Sequence, residues 1–255
     1  MPDWNIAVIA LATLGTAFLS GIFGMVGGAI LIGILLLVLP VPAAMTLHAV
    51  AQLTANGQRA VVWRSFVMWR SLLGYLLGSA AVLSLMALWQ IALPKPWIYL
   101  CLGILPFVAL LVPKEYTPDI RRKGAPLAAG MLVMILLLLA GVPGSTLDMF
   151  FQGKELDRRI VIATKAALQT FGNIAKYGYF AFVVVAVKEP GGVSSTFDLP
   201  LWIIVMTAVL AVCGTLLAKP VLHRFSDHSF HYWARRLILG VGAVYLVQGV
   251  IGLLR

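Results

Sequence analysis

The chain has 255 residues, of which 61% are hydrophobic and 11% are charged, and its mean hydropathy is +0.99. Soluble domains contain about 45–50% apolar and about 25% charged residues, so this composition excludes a soluble protein and predicts an all-α, polytopic membrane protein without a soluble domain. The net charge of +10 lies mostly in short loops between apolar runs, which is the positive-inside pattern and does not indicate nucleic-acid binding.

Ten apolar segments follow one another along the chain, and eight of them are long enough to cross a bilayer as helices. These eight are residues 4–23, 43–66, 70–90, 96–113, 125–141, 159–187, 199–218 and 234–254. Two short segments, 29–39 and 145–151, each follow a glycine break, GMVGG and GVPGS. Interrupted backbone is tolerated in hydrocarbon only where protein or water satisfies it, so these two segments are predicted to be broken or re-entrant.

The second half of the chain repeats the first at a constant offset of 117 residues, the separation of Gly24 from Gly141. At this offset Gly27 aligns with Gly144. Four polar residues of segment 43–66 also align with four of segment 159–187: His48 with Lys165, Gln52 with Gln169, Asn56 with Asn173, and Arg59 with Lys176. The duplication predicts two transmembrane repeats, residues 1–118 and 119–255, within one membrane domain.

Lysine and arginine residues in the loops predict the orientation of the chain. They concentrate at 64–70, 114–123 and 219–236, which places these regions in the cytoplasm, whereas the turn at Lys95 and the loop at 188–199 are poorer in positive charge. The N-terminal segment lacks a basic n-region, so it is predicted to be a retained helix that begins outside. Alternation then gives the two repeats inverted topologies, with each long and short pair forming a hairpin.

The aligned polar residues form one stripe on each of the two repeated helices. Their spacing of four, four and three residues puts each set on a single helical face, and from Lys165 to Lys176 the stripe rises about 16 Å at 1.5 Å per residue. A charged residue inside the membrane costs at least about 2.5 kcal/mol unless it faces a partner, water or a ligand. The two stripes therefore predict a wet, positively charged interior path for a small anion.

Donor groups near the glycine breaks would complete such an anion site. Backbone N–H groups at the breaks and two hydroxyl groups supply donors, and these residues are Gly24, Gly27, Gly28, Gly141, Gly144, Ser145 and Thr146. Asp148 is a candidate for proton coupling, for a counter-ion to Lys165 or Lys176, or for a helix-terminal residue. The stripe amides also suit interhelical hydrogen bonds without a ligand, and Arg59 suits snorkelling to the cytoplasmic interface.

Other chemistry has little support in the sequence. It contains no Walker sequence, nucleophile elbow or HExxH motif, so we predict no enzymatic activity and no cofactor. The histidines of the loop near Asp227 match no zinc pattern, and Cys101 and Cys213 have no partner spacing, so we predict no metal site. Gly74 and Gly78 indicate close helix packing, either within the chain or in a homodimer.

Three features together resemble the TauE/SafE family of sulfite and organosulfonate exporters. They are the glycine break after an N-terminal apolar helix, the short apolar segment ending at LPVPAA, and the following helix with Ala, Gln and Asn. The resemblance covers nearly the whole chain, although GMVGG has fewer consecutive glycines than the usual break and GVPGS departs further.

The resemblance implies export of a small sulfur-containing or carboxylate anion across the bacterial cytoplasmic (inner) membrane by a secondary transporter, without ATP. The stripes by themselves indicate an anion but nothing about sulfur. A passive anion channel and a non-transporting membrane scaffold remain alternatives, because both use broken helices and polar stripes.

Overall fold

The structure is a computed structural model that describes residues 3–23, 25–112, 118–142, 144–151, 156–184, 199–222 and 227–254. Every regular element in these ranges is helical. The α-helices are α1 (Asp3–Phe23), α2 (Met25–Val38), α3 (Val41–Val62), α4 (Trp69–Trp89), α5 (Lys95–Leu111), α6 (Ala125–Ala140), α7 (Gly144–Met149), α8 (Arg158–Gly178), α9 (Leu201–Leu222) and α10 (Asp227–Leu254). A 3₁₀ turn, Arg64–Phe66, follows α3, and a π-helical segment, Tyr179–Val184, continues α8.

Four of the described helices contain a stretch long and apolar enough to cross a membrane: Asp3–Phe23, Trp69–Trp89, Leu201–Ala218 and Arg235–Leu254. Three shorter apolar helices accompany them, at Val26–Val38, Lys95–Ala109 and Ala125–Ala140. Large apolar side chains such as those of Leu77, Leu88 and Val209 are exposed on the outside of the bundle, as expected for a surface that contacts lipid. These features confirm a helical membrane protein, and the number of spans stays a prediction.

The first glycine break differs from the prediction, because α2 begins at Met25 and not at residue 29. Gly27 and Gly28 therefore lie inside the helix, where they allow close approach on two sides. A Cβ atom at Gly27 would lie 2.0 Å from the Thr16 carbonyl oxygen of α1, and one at Gly28 would lie 2.9 Å from Gln52 Nε2 of α3. The missing side chains let α2 fold back along α1 while it also contacts α3.

The second glycine break agrees with the prediction. Gly141 caps the C-terminus of α6 with a φ of 85°, a left-handed conformation that favours glycine. Gly144 then begins the short helix α7. The chain returns towards the start of α6, because the Phe150 carbonyl accepts a hydrogen bond of 3.0 Å from the Ile120 amide.

Two pairs of helices pack in parallel through glycine. In the α1–α9 pair, Gly21 lies against Ala218 and Gly214 lies against Ala17. In the α4–α6 pair, a Cβ atom at Gly78 would lie 2.1 Å from the Leu127 carbonyl oxygen, so the packing predicted from this glycine occurs within the chain. In both pairs the contacts advance in the same direction along the two helices.

The α5–α10 pair packs antiparallel. Gly249 lies against Leu100, whereas Gly252, further along α10, lies against Pro96, which is earlier in α5. Helices α3 and α8 form a further antiparallel pair in the interior. Most of α3 is inaccessible there, with residues 43–51 all buried, and this pair carries the two polar stripes.

Candidate functional site

The polar stripes of α3 and α8 face each other along an antiparallel contact. His48 near the start of α3 meets Lys176 near the end of α8. At the opposite end, Arg59 lies near enough to Lys165 for their positive charges to repel. This arrangement brings side chains from the two halves of the sequence into one interior row.

One end of the row is a buried pair of basic side chains. Lys176 Nζ lies 2.8 Å from His48 Nδ1 and donates a 3.1 Å hydrogen bond to the Gly141 carbonyl oxygen. His48 Nε2 lies 3.0 Å from the Gly28 carbonyl oxygen. Since Nδ1 accepts from the lysine, the bonding pattern assigns the imidazole proton to Nε2, which donates to Gly28.

This pair lies between the glycine segments of both halves, because Gly28 belongs to α2 and Gly141 ends α6. His48 is 1% exposed and Lys176 is 0% exposed. We refer to His48, Lys176 and the carbonyl groups of Gly28 and Gly141 as the buried basic pair. Within the described residues no carboxylate contacts Lys176, so its hydrogen-bond partners are neutral.

The other end of the row is partly accessible and contains a carboxylate. Lys165 forms an ion pair with Asp148 of α7, and these side chains are 21% and 23% exposed. Arg59 is half-buried nearby. We refer to Arg59, Lys165 and Asp148 as the ion-paired end. In this structure Asp148 is the counter-ion of Lys165, one of the three roles that the sequence left open.

Four stripe amides lie between the two ends. Asn173 is 3% exposed and donates from Nδ2 to the Gln169 carbonyl oxygen at 2.8 Å, while its Oδ1 has no hydrogen-bond partner among the described residues. Asn56 is buried as well, and Gln52 packs against Gly28. A buried amide oxygen without a partner requires a donor, so this region needs water or a ligand.

The remaining predicted site residues lie around the breaks. Gly144 is the first residue of α7, and Thr146 is buried within this helix. Gly24 and the side chain of Ser145 lie outside the described residues, so the structure does not test their predicted roles. In the part of the chain that the structure describes, no three His, Cys, Asp or Glu side chains could share a metal ion.

A second polar row on α1 was not singled out from the sequence. Asn5 Oδ1, Thr13 Oγ1 and Ser20 Oγ are buried on one face of this helix without hydrogen-bond partners in the described ranges, and Thr207 Oγ1 of α9 is in the same condition. Spacings of eight and seven residues put the three α1 side chains on one helical face, and this pattern is visible in the sequence. Single hydroxyl groups are common in membrane helices, so this spacing alone does not indicate a functional row.

The described helices, their apolar exterior and the basic interior define a multi-pass helical membrane protein with a charged internal site. The sequence profile of the family described as Sulfite exporter TauE/SafE matches residues 9–247. The chain therefore belongs to the TauE/SafE family, whose members are membrane exporters of sulfite and related sulfur compounds and not enzymes. Neither a curated protein nor a solved structure matches the chain.

The ion pair between Lys165 and Asp148 provides a test of the geometry at the ion-paired end. Asp148→Asn should destabilise the protein, because it leaves Lys165 beside Arg59 without a counter-ion, whereas the double variant with Lys165→Gln should recover part of the loss. Contacting charges typically couple by about 0.5–3 kcal/mol in a double-mutant cycle, and the partial exposure of this pair favours the lower part of that range. Melting temperatures in detergent measure the cycle, and purely additive changes would contradict the ion pair.

Proposed function

We propose that the chain is a secondary carrier that exports a small anion, namely sulfite, an organosulfonate or a related sulfur-containing or carboxylate anion, across the bacterial cytoplasmic membrane. The observation that carries the proposal is the contact between His48 and Lys176, which joins the stripes of the two halves between the two glycine segments. Membership of a family of sulfite exporters supports the same conclusion.

The charge of the row favours an anion over a cation. Lysine or arginine side chains lie at both ends, and the carboxylate of Asp148 already neutralises Lys165. The carbonyl oxygens of Gly28 and Gly141, which could otherwise attract a cation, accept hydrogen bonds from the basic pair. Hydrogen bonds from ammonium or amide N–H groups to an oxyanion are charge-assisted, and they are roughly twice as strong as hydrogen bonds between neutral groups.

The helix pairs support two repeats, residues 1–118 and 119–255, of inverted topology. The offset of 117 residues relates α1 to α6 and α3 to α8, and the chain order then matches α4 with α9 and α5 with α10. Under this matching the parallel pair α1–α9 corresponds to the parallel pair α6–α4, and the antiparallel pairs α3–α8 and α5–α10 each correspond to themselves. The offset of 117 residues also places the positions of His48 and Lys176, which contact each other, onto those of Lys165 and Arg59, whose positive charges repel. Transporters built this way bind substrate between the repeats, near the midplane.

The two ends of the row differ in accessibility, as a carrier requires. The buried basic pair is sealed, whereas the ion-paired end is partly exposed and faces the cytoplasm in the topology that places the N-terminus outside. Rocking of one repeat against the other would seal the end that is now open and open the end that is now sealed. The bound anion would then be exposed on alternate sides of the membrane. We assign substrate binding to the stripes and to the glycine segments that flank them.

Flux in proteoliposomes tests the proposal against its two alternatives. Purified protein should move radiolabelled sulfite, an organosulfonate or a small carboxylate with saturable kinetics, and an imposed pH gradient should alter the rate of a coupled carrier. Flux without saturation or gradient dependence would favour a passive channel. A folded protein that moves none of the tested anions would favour a scaffold.

A further inference from the structure

We propose that Lys176 and His48 form a proton-binding site that is filled together with the anion, so that proton and anion occupancy are linked. This inference rests on the proposed function, and it deepens that function by naming the groups that carry the coupling. Asp148, the carboxylate that the sequence offered for this role, is occupied as the counter-ion of Lys165.

The hydrogen bonds of Lys176 match those of a neutral amine. Its Nζ atom has two acceptors in the described structure, His48 Nδ1 and the Gly141 carbonyl oxygen. A neutral amine has two N–H groups and an ammonium group has three. Both N–H groups of the amine are therefore used, and protonation adds a third donor that an anion can accept.

The surroundings make the proton and the anion depend on each other. Lys176 is 0% exposed and its partners in the described part of the chain are uncharged, so these partners give an ammonium group no compensating charge while the site is empty. An isolated buried charge is strongly unfavourable, whereas a buried ion pair with good hydrogen bonds is tolerated. The balanced step is the neutral amine plus one proton plus the anion, giving the ammonium–anion pair, without any covalent change.

Lys165 provides the contrast within the same row. It occupies the position in α8 that repeats His48 in α3, yet it has a carboxylate partner and is 21% exposed. Its positive charge is therefore compensated whether or not an anion is bound. The two lysines of the α8 stripe thus differ in function, since among the described residues Lys165 has a carboxylate partner and Lys176 has none.

Among the residues that the structure describes, few other titratable groups lie near the buried basic pair. Helices α2 and α6 contain none. The hydroxyl groups of Tyr179 and Tyr245 donate to the carbonyl oxygens of Ile91 and Ala29 respectively, so both are engaged elsewhere. The groups of the ion-paired end, Arg59, Lys165 and Asp148, lie about 16 Å along the stripes at 1.5 Å per residue.

Calorimetric binding of isethionate in buffers of different ionisation enthalpy tests the linkage on the full-length purified protein. A sulfonate is a strong acid and brings no titrating proton, so any proton uptake belongs to the protein. We expect uptake approaching about one proton per bound anion, and an affinity that falls up to about tenfold per pH unit as the pH rises through the titration of the pair.

Lys176→Arg separates the proton from the anion, because a guanidinium group stays protonated throughout the accessible pH range. This variant should bind isethionate without proton uptake, and Lys123→Arg, an exposed control outside the row, should behave as the unaltered protein. If Lys176→Arg fails to fold, the pH dependence of isethionate affinity in the unaltered protein still tests whether proton and anion binding are linked. Binding with neither proton uptake nor pH dependence would overturn this inference and leave the proposed function intact, whereas no binding of isethionate, sulfite or a small carboxylate would overturn both.

Discussion

Lys176→Gln is expected to reduce the saturable flux of the transported anion by about 10- to 100-fold. Glutamine can still donate a hydrogen bond to His48 or Gly141, but it cannot offer a charged donor to the anion. Hydrogen bonds to charged groups contribute about 1.5–3 kcal/mol, and each 1.4 kcal/mol corresponds to a factor of ten in affinity. Initial rates in proteoliposomes over a range of anion concentrations measure the effect.

The control for this substitution is Lys123→Gln, which makes the same side-chain change in an exposed loop before α6 and should leave flux unchanged. Gln169→Ala together with Asn173→Ala should also abolish flux if the stripe of α8 binds the anion. Size-exclusion profiles and melting temperatures separate lost transport from lost folding. Folded Lys176→Gln protein with normal flux would show that the assigned site is wrong.

Gly27→Ala is expected to cause a large loss of folded protein. A Cβ atom at this position would lie 2.0 Å from the Thr16 carbonyl oxygen and 2.7 Å from the Ser20 amide nitrogen. Backbone atoms cannot move aside as the end of a flexible side chain can, so α1 and α2 would have to separate. Overpacking usually costs about 1–3 kcal/mol, and contact with backbone at this distance favours the upper end or beyond. Thermal unfolding in detergent measures the loss.

Two glycines of the same region supply matched controls. Gly15 in α1 and Gly57 in α3 have no heavy atom of the described structure within 4 Å of an added Cβ atom. Alanine is the better helix former, so these substitutions should leave the melting temperature unchanged or slightly higher. Equal effects of Gly27→Ala and Gly57→Ala would contradict the close packing of α2 on α1.

The positions of the helices followed largely from the sequence, because long apolar runs in a chain of this composition have few other solutions. The predicted start of α2, residue 29, was wrong for a physical reason. The glycine pattern predicts an interruption at Gly27 and Gly28, whereas both residues lie inside α2 and allow it to approach α1 and α3 closely. A glycine looks the same in the sequence in both roles. Gly141, which adopts a φ of 85°, is a true interruption.

The sequence predicts which helical face carries each polar stripe, but it does not predict which residues of the two stripes contact each other. Helical spacing identified each stripe, since it depends only on residues within one helix. The contact of His48 with Lys176 spans 128 positions and depends on how α3 and α8 are aligned, which no local pattern determines. The ion pair of Asp148 with Lys165 depends in the same way on the path of α7, which the local sequence does not determine.

The most direct test of a wet anion path along the stripes uses single cysteines on α8, after Cys101 and Cys213 are replaced by alanine. Their reaction with a negatively charged, water-soluble thiol reagent measures their accessibility. We expect Lys165→Cys and Gln169→Cys, on the stripe, to react and to be protected by the transported anion. Ile174→Cys, on the exposed apolar face of the same helix, should not react in the bilayer. Reaction on the stripe that the anion slows would support a wet anion path, and a stripe that is inert, or no more reactive than Ile174→Cys, would contradict it.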